Sequence, residues 1–196
     1  MSVEAYLFDI CGVVWQAHES AQQLLGAIAK ELNQSPKEVF SSYVKVYKDF
    51  ELGKRQPQDL NLLPYEKITA ILDSIYGEEN FKKSINQDVI NTISEIRASG
   101  RKVYCLSNLE NFFGKYFRSQ LDQYFDESFY SYEIHARKPD QEAFDHVLNR
   151  INLKPEQVVF IDDKKINTDA ANKFGFKGIL FSTSQDLNNQ LKTVLP

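Results

Sequence analysis

Residues 5–14 read AYLFDICGVV: four apolar residues lead directly into Asp9, and Gly12 follows shortly after. An apolar run without alternation is typical of a strand that is buried on both faces, as the strands of parallel sheets are. An acid at the end of such a strand lies in the crevice where open α/β sheets bind their ligands. The stretch therefore predicts an α/β fold with a Rossmann-like parallel sheet, and it makes Asp9 a candidate functional residue.

Three further apolar segments also end in polar residues: 103–106 before Ser107-Asn108, 158–161 before Asp162-Asp163, and 178–181 before Ser182-Thr183. Because the carboxyl ends of parallel strands meet at the same edge of a sheet, these polar side chains are expected to lie near Asp9. The repeated pattern predicts a ligand site that is built from several strand ends.

The chain has 196 residues, which suits one domain or one domain carrying a smaller insertion. Its 23 basic and 27 acidic residues give a net charge of -4, so the bulk charge attracts neither nucleic acid nor an anionic membrane. The two cysteines, Cys11 and Cys105, lack the spacing of a disulfide framework or a zinc site. With no leader or long apolar run in the sequence, the chain is expected to be cytoplasmic.

The interval between Trp15 and residue 87 is far longer than a simple crossover, which needs about a dozen residues. Its apolar residues recur at helical spacing, and the sequence SPKE at 35–38 is typical of a capping box. We expect a helix from this box through residue 47 and another that ends at Gly77. The prediction is a core domain, residues 1–15 and 87–196, with a helical cap domain, residues 16–86, inserted after the first strand.

After the insertion, the sequence predicts alternating helices and strands. The expected elements are a helix that Gly100 ends, a helix over residues 112–124, a third strand at 129–132, a helix that Asp140 caps, and a last helix near 187–195. Ser107 and Asn108 are expected to open the helix after the second strand, where hydroxyl and backbone N–H groups can hold phosphate oxygens.

Four short motifs lie at strand ends or helix starts: Asp9 with Gly12, Ser107-Asn108, Lys138-Pro139, and Asp162-Asp163 with Asn167. Their order and spacing resemble the haloacid dehalogenase (HAD) superfamily over nearly the whole chain. Within it, the chain is similar to members with a helical cap after the first strand, such as sugar-phosphate phosphatases and the N-terminal phosphatase domain of soluble epoxide hydrolases. The resemblance implies a phosphohydrolase for a small phosphorylated metabolite, whose identity is not readable from the sequence; nor is the oligomeric state.

A carboxylate such as Asp9 can attack phosphorus and form an aspartyl-phosphate, which divides one difficult hydrolysis into two displacements. Acids at neighbouring strand ends repel one another unless a cation lies between them, and oxygen ligands beside a phosphate suit Mg²⁺. By resemblance to the family, Asp9 and Asp163 are direct Mg²⁺ ligands. Asp162 then acts through water, and Cys11 contributes its backbone carbonyl.

The resemblance also implies that Ser107, Asn108 and Lys138 hold the phosphate, and that Lys138 offsets the charge shared by phosphate and nucleophile. One position departs from the pattern. HAD phosphatases usually carry a second Asp two residues after the nucleophile, where it protonates the leaving group and then activates water, but this chain has Cys11. A thiol is a poor acid for an alkoxide leaving group, and a positioned general acid–base contributes about 10²–10⁴ in rate.

Two alternatives stay open for this reason. One is a catalytically weak HAD fold that senses a phosphate ligand or binds a protein partner. The other is a 2-haloacid dehalogenase, although the paired acids and the lone arginine of the predicted cap, Arg55, do not fit the dehalogenase pattern. Aromatic residues at helical spacing are interpreted as packing: Trp15, Tyr43, Tyr47 and Phe50. His18 is kept as a candidate substrate contact.

Overall fold

Five parallel strands form the centre of the protein in a computed structural model that describes residues 2–16, 20–60 and 62–194. The strands are β1 (Ala5–Phe8), β2 (Lys102–Ser107), β3 (Glu127–Tyr130), β4 (Val158–Asp162) and β5 (Lys177–Leu180). Their order across the sheet is β3-β2-β1-β4-β5, and each neighbouring pair is parallel. The predicted α/β class with a Rossmann-like sheet is confirmed.

Helices occupy the intervals between the strands. Those between β1 and β2 are α1 (Ser20–Leu32), α2 (Pro36–Tyr43), α3 (Tyr47–Glu51), α4 (Tyr65–Tyr76), α5 (Glu78–Lys83) and α6 (Gln87–Ala98). The later helices are α7 (Gly114–Leu121), α8 (Ser131–Ile134), α9 (Gln141–Ile151), α10 (Lys165–Lys173) and α11 (Ser184–Val194). Short 3-10 turns cover Pro57–Leu60, Asp122–Tyr124 and Pro155–Gln157. We call α1–α5 the helical insertion; that it forms a separate cap domain stays a prediction.

The central position of β1 explains why its sequence is apolar without alternation. Tyr6 and Phe8 belong to one apolar cluster, which the helical insertion, α6, α7 and α11 complete. Ala5 and Leu7 belong to a second cluster with α9 and α10. Because β2 and β4 pair with β1 on either side, the carboxyl end of β1 brings Asp9 to the middle of the sheet edge.

In the helical insertion, α2 begins as predicted. Ser35 Oγ accepts a hydrogen bond from the Glu38 backbone N–H at 3.3 Å, and Glu38 Oε2 accepts one from the Ser35 N–H at 2.9 Å, so the capping box is confirmed. The predicted continuation of this helix into α3 is wrong, because a turn at 44–46 separates the two. That turn allows Phe50 to be fully buried, while Val44 stays 45% exposed.

Several predicted helix ends are confirmed. Helix α4 ends directly before Gly77. Helix α9 begins directly after Asp140 as predicted, but the Asp140 side chain makes no capping hydrogen bond. Helix α6 ends two residues before Gly100, whose φ of +83° favours glycine. The third strand begins and ends two residues earlier than predicted, because Ser131 already starts α8. No helix among the described residues combines the length and apolar character that a membrane span requires.

The segment after β2 differs from the prediction that Ser107 and Asn108 open a helix. The chain forms a loop and a turn there, and α7 begins at Gly114. The physical reason is a competing contact, since the Asn108 side chain hydrogen-bonds the backbone of Lys138 instead of capping a helix.

Candidate active site

The carboxyl end of β1 carries Asp9, a buried acid in contact with a buried lysine. Asp9 Oδ1 accepts a hydrogen bond from the Ile10 backbone N–H at 2.7 Å and lies 2.9 Å from Lys138 Nζ. The same ammonium group lies 2.7 Å from Asp162 Oδ2 at the end of β4. The side chains of all three ionic residues are 4% exposed or less. The sheet edge therefore holds an acid–lysine–acid cluster that is shielded from solvent.

Asn108 fixes the backbone that carries Lys138. Its Nδ2 donates to the Lys138 carbonyl oxygen at 2.8 Å, and its Oδ1 accepts from the Lys138 N–H at 2.8 Å. The peptide bond between Lys138 and Pro139 is cis. Both polar ends of the Asn108 side chain thus hydrogen-bond the backbone of Lys138 and position that residue.

The two adjacent acids after β4 have different surroundings. Asp162 Oδ1 accepts hydrogen bonds from the Lys164 N–H at 2.8 Å and from Asn167 Nδ2 at 3.0 Å, in addition to the lysine contact at Oδ2. Asp163 Oδ1 is buried and has no hydrogen-bond partner among the residues that the structure describes. Oxygen atoms of Asp9, Asp162 and Asp163 all lie within 4.8 Å of one another. Both oxygens of Asp162 thus accept hydrogen bonds, whereas Asp163 has a buried oxygen without a partner among the described residues.

Two small residues line this edge. Gly12 has a φ of +95°, and a Cβ at its position would lie 2.4 Å from Asp163 Oδ2, so the close approach of the two loops requires glycine. Ser107, at the end of β2, is 1% exposed, and its Oγ has no hydrogen-bond partner within the described part of the chain. A buried hydroxyl of this kind costs free energy unless a ligand or water satisfies it.

Burial dominates the electrostatics of these groups. It raises the pKa of Asp9 to about 6, an effect that Lys138 opposes and Asp162 reinforces. Burial also raises the pKa of the Asp163 carboxyl and, strongly, that of the Cys11 thiol, which stays neutral. For Lys138, burial lowers the pKa, but its two acidic partners together raise it by more, so the lysine stays charged.

A hard divalent cation fits this set of residues. Three carboxylates so close together repel one another when they are ionised, and one lysine balances only part of their charge. The atoms that the cluster offers are all oxygens, which Mg²⁺ prefers, and Asp163 Oδ1 still lacks a partner among the described residues. The donor set therefore suits Mg²⁺.

Glu110 is a residue of this region that the sequence reasoning missed. It lies in the loop after β2, and its carboxylate accepts a hydrogen bond from the hydroxyl of Tyr43 on α2. Burial raises the pKa of Glu110 to about 7; the Tyr43 hydrogen bond opposes this shift, and the charge of Glu51 adds to it. The sequence shows an acid three positions after Ser107, which could have indicated a site residue. It does not show that this acid contacts a tyrosine 67 positions earlier.

The aromatic residues in and beside the helical insertion pack largely as predicted. Trp15 stacks on Phe81 with ring centroids 5.2 Å apart, and Phe50 is fully buried. Tyr43 packs against the core but also carries the polar contact just described. His18, the candidate substrate contact, lies outside the described residues.

Comparisons with known proteins place the chain in a family. The family model described as haloacid dehalogenase-like hydrolase matches residues 3–175. The chain is 26% identical over 194 residues to the sesquiterpene phosphatase astK of Aspergillus oryzae, covering 92% of this chain and 91% of the relative. It is 25% identical over 179 residues to the glyceraldehyde 3-phosphate phosphatase of Methanopyrus kandleri, covering 83% and 76%. A third relative, the drimenol cyclase drtB of Aspergillus calidoustus, is 29% identical over 107 residues, which are 54% of this chain and 20% of that longer protein.

Solved structures share the fold. The crystal structure of the HAD family enzyme bt-2542 from Bacteroides thetaiotaomicron matches with a TM-score of 0.80 at 20% identity, covering 97% of this chain and 99% of that one. The wild-type protein of the same enzyme in complex with magnesium and inorganic phosphate gives a TM-score of 0.75 at 19% identity, covering 92% and 95%. At these identities the likeness concerns the fold.

Proposed function

Because the chain belongs to the haloacid dehalogenase-like hydrolase family, we propose that it is a Mg²⁺-dependent phosphohydrolase that acts on a small phosphorylated metabolite through an aspartyl-phosphate. The observation that carries the proposal is the buried cluster of Asp9, Lys138 and Asp162, with Asp163 beside it. The phosphatase names of two relatives, and the magnesium and phosphate in the bt-2542 complex, support the same class of reaction.

Asp9 is the nucleophile in this proposal. Its Oδ1 is engaged by the Ile10 N–H and by Lys138 Nζ, so we assign the attack on phosphorus to Oδ2. The bond from Asp9 to phosphorus forms while the bond from phosphorus to the leaving oxygen breaks. Water then attacks the phosphorus of the aspartyl-phosphate, which releases phosphate and restores Asp9. Lys138 orients the nucleophile and offsets the charge of the phosphoryl group.

Mg²⁺ would be held by Asp9, Asp163 and the backbone carbonyl of Cys11, with Asp162 acting through water. When bound, the ion supplies positive charge between the phosphate and the acids. The contacts of the paired acids support this division of roles. Asp162 already accepts hydrogen bonds on both oxygens, whereas Asp163 Oδ1 accepts none from the residues described.

The phosphate would be bound at the end of β2. Ser107 Oγ can donate a hydrogen bond to a phosphate oxygen, and this would satisfy a hydroxyl that is otherwise buried without a partner among the described residues. Asn108 would contribute its backbone N–H, because its side chain positions Lys138. Lys138 would supply the positive charge.

The names of the relatives refer to a triose phosphate and to a sesquiterpene, so the metabolite must be found by assay. The experiment is release of inorganic phosphate from a panel of sugar phosphates, nucleotides and prenyl phosphates, with Mg²⁺ and with excess EDTA. We expect Mg²⁺-dependent release from at least one compound, and a phosphorylated Asp9 in the trapped enzyme by mass spectrometry. A cytoplasmic location stays a prediction.

The same assay separates the alternatives. Halide release from 2-haloacids that persists in excess EDTA would indicate a dehalogenase, since that chemistry needs no metal. No release from any compound, with Mg²⁺ and inorganic phosphate still binding in calorimetry, would indicate a ligand-binding HAD fold instead of an enzyme.

A further inference from the structure

The proposed reaction lacks a proton donor at the position where HAD phosphatases usually carry one. Cys11 stands there, and burial raises the pKa of its thiol far above its ordinary value. An alkoxide leaving group needs a proton as its bond to phosphorus breaks, and the water of the second step must lose one. Another group near this position must therefore perform the proton transfers if alkyl phosphates are hydrolysed.

Glu110 lies on a loop that is fixed to the same sheet edge. The Leu109 N–H donates to Ser131 Oγ at 3.0 Å, and Asn108 is tied to the Lys138 backbone by its two side-chain hydrogen bonds. Leu109 is thus anchored to the first residue of α8, and Asn108 is anchored to the segment that follows α8. A side chain on an anchored loop is preorganised for catalysis.

The carboxyl of Glu110 faces the helical insertion, where the Tyr43 hydroxyl donates a hydrogen bond to it. The charged and titratable groups around it are Tyr43 on α2, Glu51 on α3, Lys164 after β4 and Cys11 after β1. Glu51 is paired with Arg137 Nε at 2.7 Å, whereas Glu110 forms no ion pair with any of the described residues. A carboxyl in such surroundings takes up a proton near neutral pH.

Glu110 also shares its electrostatic surroundings with the nucleophile. Its charge is one of those that raise the pKa of the Cys11 thiol. Lys164 lowers the pKa of Glu110, and the same lysine lowers the pKa of Asp9 and of Asp163. The geometry places the loop of Glu110 beside that of Cys11, because β1 and β2 pair in parallel with Phe8 opposite Cys105 and both loops begin at the same sheet edge. Asn108, two residues before Glu110, is hydrogen-bonded to the backbone of Lys138, whose Nζ lies 2.9 Å from Asp9 Oδ1.

We infer that Glu110 is the general acid–base of this phosphatase and performs the proton transfers for which Cys11 is unsuited. The inference rests on the proposed function. The protonated carboxyl gives its proton to the leaving oxygen as the bond from that oxygen to phosphorus breaks. The resulting carboxylate takes a proton from the water that attacks the aspartyl-phosphate, which releases phosphate and returns Glu110 to its protonated form. The Tyr43 hydroxyl holds the carboxyl in place.

The first test compares two kinds of leaving group in the Glu110→Gln variant. The substrates are the alkyl phosphate that the wild type hydrolyses fastest and p-nitrophenyl phosphate, whose leaving group needs no proton. We expect kcat/KM for the alkyl phosphate to fall by about 10²–10⁴, and that for p-nitrophenyl phosphate by less than about tenfold. Rapid mixing should show a burst of one nitrophenolate per enzyme before slow turnover, because water activation is lost as well.

The second test uses pH. In the wild type, kcat/KM for the alkyl phosphate should decline above about pH 7, where Glu110 loses its proton, and p-nitrophenyl phosphate should show no such decline. Tyr43→Phe keeps the carboxyl but removes a hydrogen bond that lowers its pKa, so the decline should move to higher pH. This second variant keeps the inference testable even if Glu110→Gln does not fold.

The matched control is Asp73→Asn. Asp73 on α4 accepts a hydrogen bond from the Tyr116 hydroxyl at 2.5 Å, which is another tyrosine–carboxylate contact between the helical insertion and the rest of the protein. Its loss should leave both substrates and the pH profile unchanged. Equal slowing of the two substrates by Glu110→Gln, without a burst, would overturn the inference and leave the proposed function intact. A wild type inactive on every phosphate would overturn both.

Discussion

At the scale of single residues, Asp9 carries the proposed chemistry. Asp9→Asn keeps the volume and leaves Lys138 paired with Asp162, so the fold should persist, but an amide cannot attack phosphorus. We expect turnover to fall by at least about 10³, with a melting temperature close to that of the wild type. Steady-state assays and thermal unfolding measure the two quantities. A variant that keeps a tenth of the wild-type rate would show that covalent catalysis at Asp9 is wrong.

Asp163 is the residue whose loss should weaken Mg²⁺ binding. Asp163→Ala removes the buried oxygen that has no partner among the described residues, and the remaining ligands hold a hard divalent ion poorly. Isothermal titration calorimetry with Mg²⁺ should show at least a tenfold loss of affinity. Asp169→Asn is the control, because Asp169 pairs with Lys165 on the exposed side of α10. An unchanged affinity in Asp163→Ala would refute this ligand assignment.

Cys11 and Glu110 should behave as alternative positions for one function. Cys11→Asp restores an acid at the usual position, so it should raise alkyl phosphate turnover little in the wild type and at least about tenfold in Glu110→Gln. The measurement is a double-mutant cycle on kcat, with Cys11→Ser as the control of similar size. The same gain in both backgrounds would mean that the two positions act independently.

At the scale of elements, the start of α6 joins the helical insertion to the sheet. Asn86 caps this helix by accepting a hydrogen bond from the Val89 N–H at 3.4 Å, and it also accepts one from Ser184 Oγ of α11 at 3.2 Å. Asn86→Ala should lower the free energy of unfolding by about 1 kcal/mol, measured by urea denaturation. The exposed Asn91→Ala on the same helix should change it by less than about 0.5 kcal/mol. Equal effects of the two substitutions would contradict the capping role.

At the scale of the whole molecule, Glu110 makes stability depend on pH. Its pKa is about 7 in the folded protein against an ordinary value of 4.5, so the folded state holds this proton more tightly. The free energy of unfolding should therefore be largest below pH 4.5 with respect to this group and decrease as the pH rises to 7, by at most about 3 kcal/mol. Glu110→Gln should flatten this part of the profile in thermal unfolding between pH 4.5 and 8. An identical slope in the variant would show that Glu110 does not contribute to the pH dependence of the free energy of unfolding.

The sequence by itself determined the sheet and the family. An apolar run that ends in Asp9 needs a strand buried on both faces, and the later strand ends at Ser107 and Asp162 follow the same rule, which depends on local order along the chain. The start of α2 was predictable for the same reason, since Ser35 and Glu38 contact each other within one turn.

The tertiary structure alone decided which polar atoms are engaged and which remain available. Asn108 and Lys138 are 30 positions apart, and their contact replaced the helix that local propensity favoured after β2. Tyr43 and Glu110 are 67 positions apart, so no local pattern could indicate that an aromatic residue of the helical insertion contacts an acid in the loop after β2. Hydrogen bonds between distant segments depend on how the elements pack, and a single sequence carries that information only through the complete fold.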